Sequence, residues 1–218
     1  VNIAVAVLTY NRKSLFERTL ASLKRTSVPY DLVLVDGGST DGTAEMVAGM
    51  GGYCYTEQPS WIGATFHVAV ELALETKPDL IMFTGDDYEY RIGWLEDLAA
   101  FWRKTLPAMA LVSCHIEPAF RWNKVYGMLE LNNRRALVRA TLGGANWSFR
   151  PELWPLLKEL VPKGSHKYDK DVCRKLYQQR YLCCAMDLAE HIGEGHRVWM
   201  DGPEPQGEPV DLVYWGLV

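Results

Sequence analysis

From Val1 to Lys104 the chain alternates short apolar runs with longer stretches whose apolar residues recur at helical spacing. Ile3 to Leu8 is a continuous apolar run, suited to a central parallel strand. Thr9, Tyr10, Asn11 and Arg12 follow as a loop. Ser14 to Glu17 has the form of a capping box, and the helix it opens aligns Phe16, Leu20 and Leu23 on one face. Asp31 to Val35 reads as a second strand, Asp36 to Thr43 as a polar loop, and Asp41 to Ala48 as a helix with Asp41 at its N-cap. Cys54 to Thr56 suits a short third strand. Trp61 to Glu75 reads as a helix with Ile62, Phe66, Val70 and Ala73 in register. Leu80 to Thr84 is a fourth strand, and Gly93 to Lys104 a helix facing inward with Leu95, Leu98 and Trp102.

Four strand–helix repeats predict an α/β fold with a mostly parallel sheet flanked by helices. The second half changes character. Met109 to Ile116 reads as a strand, and Val125 to Leu131 with Ala136 to Ala140 as a hairpin across Asn132 and Asn133. Gly143 and Gly144 begin a tight segment, and Pro151 starts a helix. Tyr168 to Gln179 is amphipathic, and Tyr181 to Asp187 is a late strand. The stretch after Gly202 is rich in Pro and Gly, then apolar from Val210 to Val218; Tyr214 and Trp215 are expected to pack on the domain. No repeat or linker divides the chain, so a single domain is expected, with residues 1–104 and 105–218 as its halves.

Composition narrows the partners. The 218 residues carry a net charge of −4 with no basic block, so a nucleic acid is not expected. No run of about 18 apolar residues occurs, so no membrane span is expected. Val1 to Thr9 reads as a strand and not a signal peptide, lacking a basic leader and cleavage site. Five cysteines without a Cys-x-x-Cys pair suggest reduced thiols and a cytoplasmic location, peripheral attachment to a membrane remaining open.

The most telling feature is the pair Asp86–Asp87, delivered with Gly85 at the C-terminal end of the fourth strand. Open α/β sheets bind ligands at that end. Adjacent carboxylates repel unless a positive group joins them, and a divalent metal carrying a diphosphate answers that need. An acidic turn capping the next helix is the alternative.

The segments VAVLTYNR (5–12), LVDGGSTDGT (34–43), FTGDDYEYRIGWL (83–95), GGANWSFR (143–150) and YDKDVCRKL (168–176) together resemble the motifs of family 2 glycosyltransferases, over about residues 1–195. The resemblance implies the GT-A fold. It implies that Thr9, Tyr10, Asn11 and Arg12 contact the base and phosphates of a nucleotide, and that Asp36 recognises the base or ribose; an Asx turn is the alternative for Asp36. Asp87 would hold Mn²⁺ or Mg²⁺, while Asp86 holds the ribose or a metal-bound water. Gly85 stands where many members carry a further acid, so the metal is expected to bind weakly without nucleotide. Glu89 is open to face the other way.

Asp169 would be the general base for the acceptor hydroxyl, a helix N-cap being the alternative. Asp171 and Lys175 read as a surface ion pair. His191 would approach the metal or diphosphate, His196 being the lesser candidate. Gly63, Gly144 and Trp147 would line the donor and acceptor, with Trp147 either stacking on a sugar or packing in the core. Near Gly63 the family's Arg is missing, and Arg121, Arg134, Arg135 or Arg139 is expected to replace it. The resemblance implies transfer from a UDP- or dTDP-sugar to a glycan or glycoconjugate hydroxyl, with inversion. A non-catalytic nucleotide-sugar-binding module and a sugar nucleotidyltransferase are the rivals, though the latter needs a glycine-rich loop that Thr9 to Arg12 lacks.

Overall fold

The structure, a computed structural model, describes residues 1–55, 62–105, 107–116, 125–131, 133–164 and 168–193. Its strands are β1 (Ile3–Thr9), β2 (Asp31–Asp36), β3 (Tyr53–Cys54), β4 (Leu80–Thr84), β5 (Tyr88–Tyr90), β6 (Met109–Ser113), β7 (Val125–Leu131), β8 (Arg134–Arg139), β9 (Asn146–Phe149), β10 (Leu182–Ala185) and β11 (Ala189–His191). The helices are α1 (Lys13–Leu23), α2 (Thr43–Gly49), α3 (Ile62–Glu75), α4 (Trp94–Trp102), α5 (Trp154–Leu160) and α6 (Asp169–Gln178), with a 3₁₀ turn at Pro151–Leu153. Nine strands form one sheet in the order β3-β2-β1-β4-β9-β6-β10-β8-β7, and β5 and β11 form a separate antiparallel pair.

β1 shows how the sequence produces this arrangement. All seven of its residues are buried, as a strand covered on both faces requires. Ile3, Val5 and Val7 enter one core, with α1 and α4; Ala4, Ala6 and Leu8 enter the other, with α3, α5 and α6. Each fully buried Val, Leu or Ile stabilises the fold by roughly 1.5–3 kcal/mol. Cys183 and Cys184 likewise divide between the two cores.

The first half follows the sequence expectations; three local features depart from them. Helix α1 begins at Lys13, so Ser14 lies inside it and no side chain caps its Arg12 N-cap. The cap-like contact comes from another loop, where the Asp41 carboxylate accepts from Lys13 N at 3.2 Å and from Thr43 N at 3.1 Å. A tertiary contact thus replaces the expected local one, and Asp41 ties together the starts of α1 and α2. The second departure is β9. Residues 146–149, for which no strand is expected in the tight segment between Gly143 and Pro151, run antiparallel between β4 and β6. The third is the β5–β11 pair, too short to show in a hydrophobic pattern.

Among the described residues, no helix is long and apolar enough to cross a membrane. Residues 56–61, Arg121, His196 and the apolar stretch with Tyr214 and Trp215 lie outside the described residues.

Candidate active site

Strand order reverses between β1 and β4: β2 lies beyond β1 on one side, and β9 and β6 beyond β4 on the other. Loops leaving the C-terminal ends of β1 and β4 therefore part company, and ligands bind in such a crevice. A cleft of about 410 Å³ lies there, lined by Leu8, Thr9, Tyr10, Arg12, Gly37, Ile62, Thr65, Gly85, Asp86, Asp87 and Ala145.

Asp86 and Asp87 are 4% and 8% exposed, too buried to be a solvated acidic turn. Their backbone is clamped from several elements. Thr19 of α1 donates to Asp86 O at 2.7 Å, and Ile192 N to Asp87 O at 2.7 Å. Gly85 N donates to Ala145 O at 2.7 Å. A Cβ on residue 85 would lie 3.1 Å from Asp87 Oδ1 and 3.5 Å from Ala145 Cβ. The glycine thus leaves room for the Asp87 carboxylate to fold back over the strand end.

The two carboxylates have different surroundings. Asp86 Oδ2 accepts from Thr9 Oγ1 at 2.8 Å and from Tyr10 N at 3.3 Å. Asp87 Oδ2 accepts from Arg12 Nη1 at 2.7 Å and lies 3.1 Å from His191 Nε2. Burial raises the pKa of Asp86, helped by the charge of Asp87 and opposed by the Thr9 bond and the Arg12 charge. Burial pushes Asp87 up as well, but the hydrogen bond and charge of His191, with those of Arg12, outweigh it and hold Asp87 below the ordinary carboxylate value. The two carboxylates are thus pushed in opposite directions, and Asp87 is the one whose charged form its neighbours favour.

That donor set fits a hard divalent cation. Neighbouring ligands of an octahedron with bonds of about 2.1 Å stand about 3 Å apart. Asp87 Oδ2 and His191 Nε2 stand 3.1 Å apart as a hydrogen-bonded pair, close enough for both to turn to one cation. Among the described residues no three His, Cys, Asp or Glu side chains converge on one point. A cation held by Asp87 and His191 would keep positions open for phosphate oxygens and water. A Cβ on Gly193 would lie 2.9 Å from Asp87 Oδ2, so a glycine there lets the β11 end close on the carboxylate.

The remaining candidates divide into those the fold brings to the cleft and those it does not. Thr9, Tyr10 and Arg12 line it. Asn11 braces it: its backbone turns through φ 50°, its Oδ1 accepts from Thr40 N at 2.7 Å, and its N–H donates to Ser39 Oγ at 2.8 Å. Asp36 is fully buried, and its carboxylate accepts from Gly38 N at 2.8 Å, Ser39 N at 2.9 Å and the Ser39 hydroxyl. It holds the loop that presents Gly37 to the cleft. Asp169, first residue of α6, is half-buried and does not itself line the cleft; a Cβ on Gly144 would lie 3.1 Å from Asp169 Cβ, and Ala145, next to Gly144, does line it. Tyr168 donates to Gly144 O at 3.0 Å and fixes that junction. Glu89 faces away and pairs with Arg18 and Arg25, both at 2.9 Å.

Three expectations are corrected. Trp147 is 0% exposed, packed edge-on against Phe66 and Tyr168 as part of β9. It offers no face to a sugar. Gly63 is a packing residue: a Cβ there would lie 2.1 Å from Pro162 O, while Ile62 and Thr65 supply that wall of the cleft. Among the described candidates no replacement cation reaches the cleft, Arg121 lying outside the described residues. Arg134 and Arg135 line a separate cleft of about 620 Å³ with Arg91, Asp97 and Glu130, and Arg139 is 2% exposed. His67, four residues after Gly63, turns to Val161 O at 2.8 Å. Gly63→Ala should therefore lower stability by about 1–3 kcal/mol, since two backbones must separate, with donor affinity nearly unchanged. Thermal unfolding and a donor titration check this; an unchanged melting temperature would remove the packing role.

Sequence reading missed Thr19, Ile62, Thr65, Ala145 and the pair Tyr88–His115. His115 lies edge-on to Tyr88 at 5.6 Å, and Tyr88 in turn lies 5.1 Å from His191. The signal for His115 was available: it follows β6 at the same sheet edge as Asp86. An expected strand running to Ile116 concealed it.

A nine-stranded mixed sheet, parallel from β3 through β4, with an acid pair at its switch point defines a domain of the GT-A type. The model of glycosyl transferase family 2 matches residues 4–160, and the chain belongs to that family. Solved structures share the fold. One is the mannosyltransferase PcManGT from Pyrobaculum calidifontis in complex with GDP-Man and Mn²⁺, with 21% identity and a TM-score of 0.62 over 90% of this chain. Another is TarS 1-349 of S. aureus in complex with UDP, with 18% identity and a TM-score of 0.58 over 86%. A third is GalNAc-T7 with UDP, GalNAc and Mn²⁺, with 13% identity and a TM-score of 0.64 over 87%. The chain spans 59%, 58% and 43% of these proteins' own lengths. No curated protein matches it significantly by sequence.

Proposed function

We propose that this domain binds a nucleoside-diphosphate sugar with Mn²⁺ or Mg²⁺ and transfers the hexosyl group, with inversion, to a hydroxyl of a glycan or glycoconjugate. The observation that carries this reading is the division of the acid pair. Asp87, held ionised beside His191 and Arg12, would bind the metal; Asp86, held by Thr9 and Tyr10, would meet the ribose or a metal-bound water. Nucleotides and Mn²⁺ bound to proteins of the same fold support the same choice of ligands. When bound, the cation would neutralise charge growing on the departing diphosphate. The loops presenting Tyr10 and Gly37 would receive the base of a UDP- or dTDP-sugar, with Asn11 and Asp36 keeping them in place. Gly144 would let the backbone pass close beside Asp169.

In the reaction, the acceptor oxygen attacks the anomeric carbon from the face opposite the diphosphate. The carbon–oxygen bond to the diphosphate breaks, and the acceptor proton passes to the Asp169 carboxylate. The chain's own residues bind, orient and take that proton, and no covalent enzyme intermediate forms.

Incubation with a panel of UDP-, dTDP- and GDP-sugars and Mn²⁺ tests the reading. Slow donor hydrolysis suffices while the acceptor is unidentified. Release of nucleoside diphosphate from one donor, abolished by chelation, is expected. Binding without release in the presence of candidate acceptors would favour a non-catalytic module; the missing Arg near Gly63 is the observation on that side.

A further inference from the structure

Asp87 Oδ2 is claimed twice. Arg12 Nη1 lies 2.7 Å from it and His191 Nε2 3.1 Å, and the same guanidinium nitrogen is 3.4 Å from Asp86 Oδ1. A cation held between Asp87 and His191 would need the lone pairs that Arg12 occupies. Two positive charges a few ångströms apart at carboxylates this buried repel strongly. We propose that Arg12 is an internal counter-ion of the acid pair that competes with the divalent cation, and that an anionic diphosphate in the cleft draws it away. The inference rests on the metal-dependent reading above and adds to it an order: cation and diphosphate reinforce one another's binding because each relieves Arg12 of one role.

The local structure permits that exchange. The Arg12 side chain is 51% exposed and lines the cleft, so an alternative position in the same space is open to it. Its backbone is held without it. Asn11 is fastened to Ser39 and Thr40, and Lys13 N donates to Asp41. Arg12 makes no side-chain cap to α1, so moving the guanidinium costs the helix no cap. The reinforcement is reciprocal: whatever factor the diphosphate adds to cation affinity, the cation adds to diphosphate affinity.

Titration of the nucleotide-free protein with Mn²⁺ alone, following free Mn²⁺ by electron paramagnetic resonance, tests this with no turnover involved. Arg12→Gln should bind Mn²⁺ at least about tenfold more tightly than the parent. Arg12→Lys, which keeps the charge, should stay near the parent. Asp87→Asn combined with Arg12→Gln should lose the gain. Equal affinity in the parent and Arg12→Gln, with Asp87 still required, would overturn the counter-ion role and leave the metal reading intact. Absence of Mn²⁺ binding in every form even with UDP added, or tight binding indifferent to Asp87, would overturn both. Thermal melts of the variants establish that each is folded.

Discussion

Asp87→Asn should leave a folded protein whose metal-stimulated donor turnover falls by about a thousandfold or more, roughly 4 kcal/mol of transition-state stabilisation. The substitution keeps size and shape, which matters because Asp87 Oδ1 faces residue 85 and its main chain is tied to Ile192. What it removes is charge. Asp87 is the carboxylate that His191 and Arg12 hold ionised, and an amide has neither the charge nor the second acceptor oxygen to bind a hard cation. Nucleoside-diphosphate release measured across a Mn²⁺ series, beside a thermal melt, separates chemistry from folding. Undiminished turnover in the variant would remove Asp87 from the metal site.

Asp169→Asn should bind donor nearly as the parent does yet transfer sugar about 10²–10⁴ times more slowly, the usual contribution of a positioned base. The residue is the first of α6. Its Oδ1 accepts from Lys170 N at 2.8 Å, a bond that an asparagine oxygen can keep. The fold should therefore survive. Only the ability to take the acceptor proton is lost. Comparing donor affinity by calorimetry with the transfer rate is decisive here: a large fall in affinity would make Asp169 a binding residue.

The two predictions differ in how far the sequence anticipated them. Asp87 was marked by its place: a five-residue apolar run, a glycine and two acids make a legible strand end. The division of labour inside the pair was suggested only by family resemblance. The physical ground for it is that Thr9 and Tyr10 reach Asp86 while Arg12 and His191 reach Asp87. These partners come from β1, the loop after it and the strand β11 late in the chain. Asp169 was marked by the resemblance alone, since a first-turn acid is ordinary at any helix start.

Trp147 and Gly63 went the other way for a common reason. A Trp after two glycines, and a glycine at a helix start, carry the same letters whether they face a ligand or a neighbouring element. For Trp147 the choice was made when β9 entered the sheet antiparallel between β4 and β6, turning the ring onto Phe66. For Gly63 it was made by the approach of Pro162, almost a hundred positions along the chain. Arg134 and Arg135 read as candidates for the diphosphate because their charge is visible and their place is not; the β7–β8 hairpin carries them to the far end of the sheet.

The sequence by itself determined the parallel first half, because side-chain alternation in a strand and recurrence in a helix are local properties of the backbone. It also determined that acids stand at the end of β4. Only the tertiary structure decided which groups face those acids. Contacts from Thr9 to Asp86, and from Arg12 and His191 to Asp87, join positions far apart in the chain, and no periodicity encodes the meeting of loops. That meeting is also what places a guanidinium and an imidazole on the same carboxylate oxygen, the arrangement from which the competition between Arg12 and a metal follows.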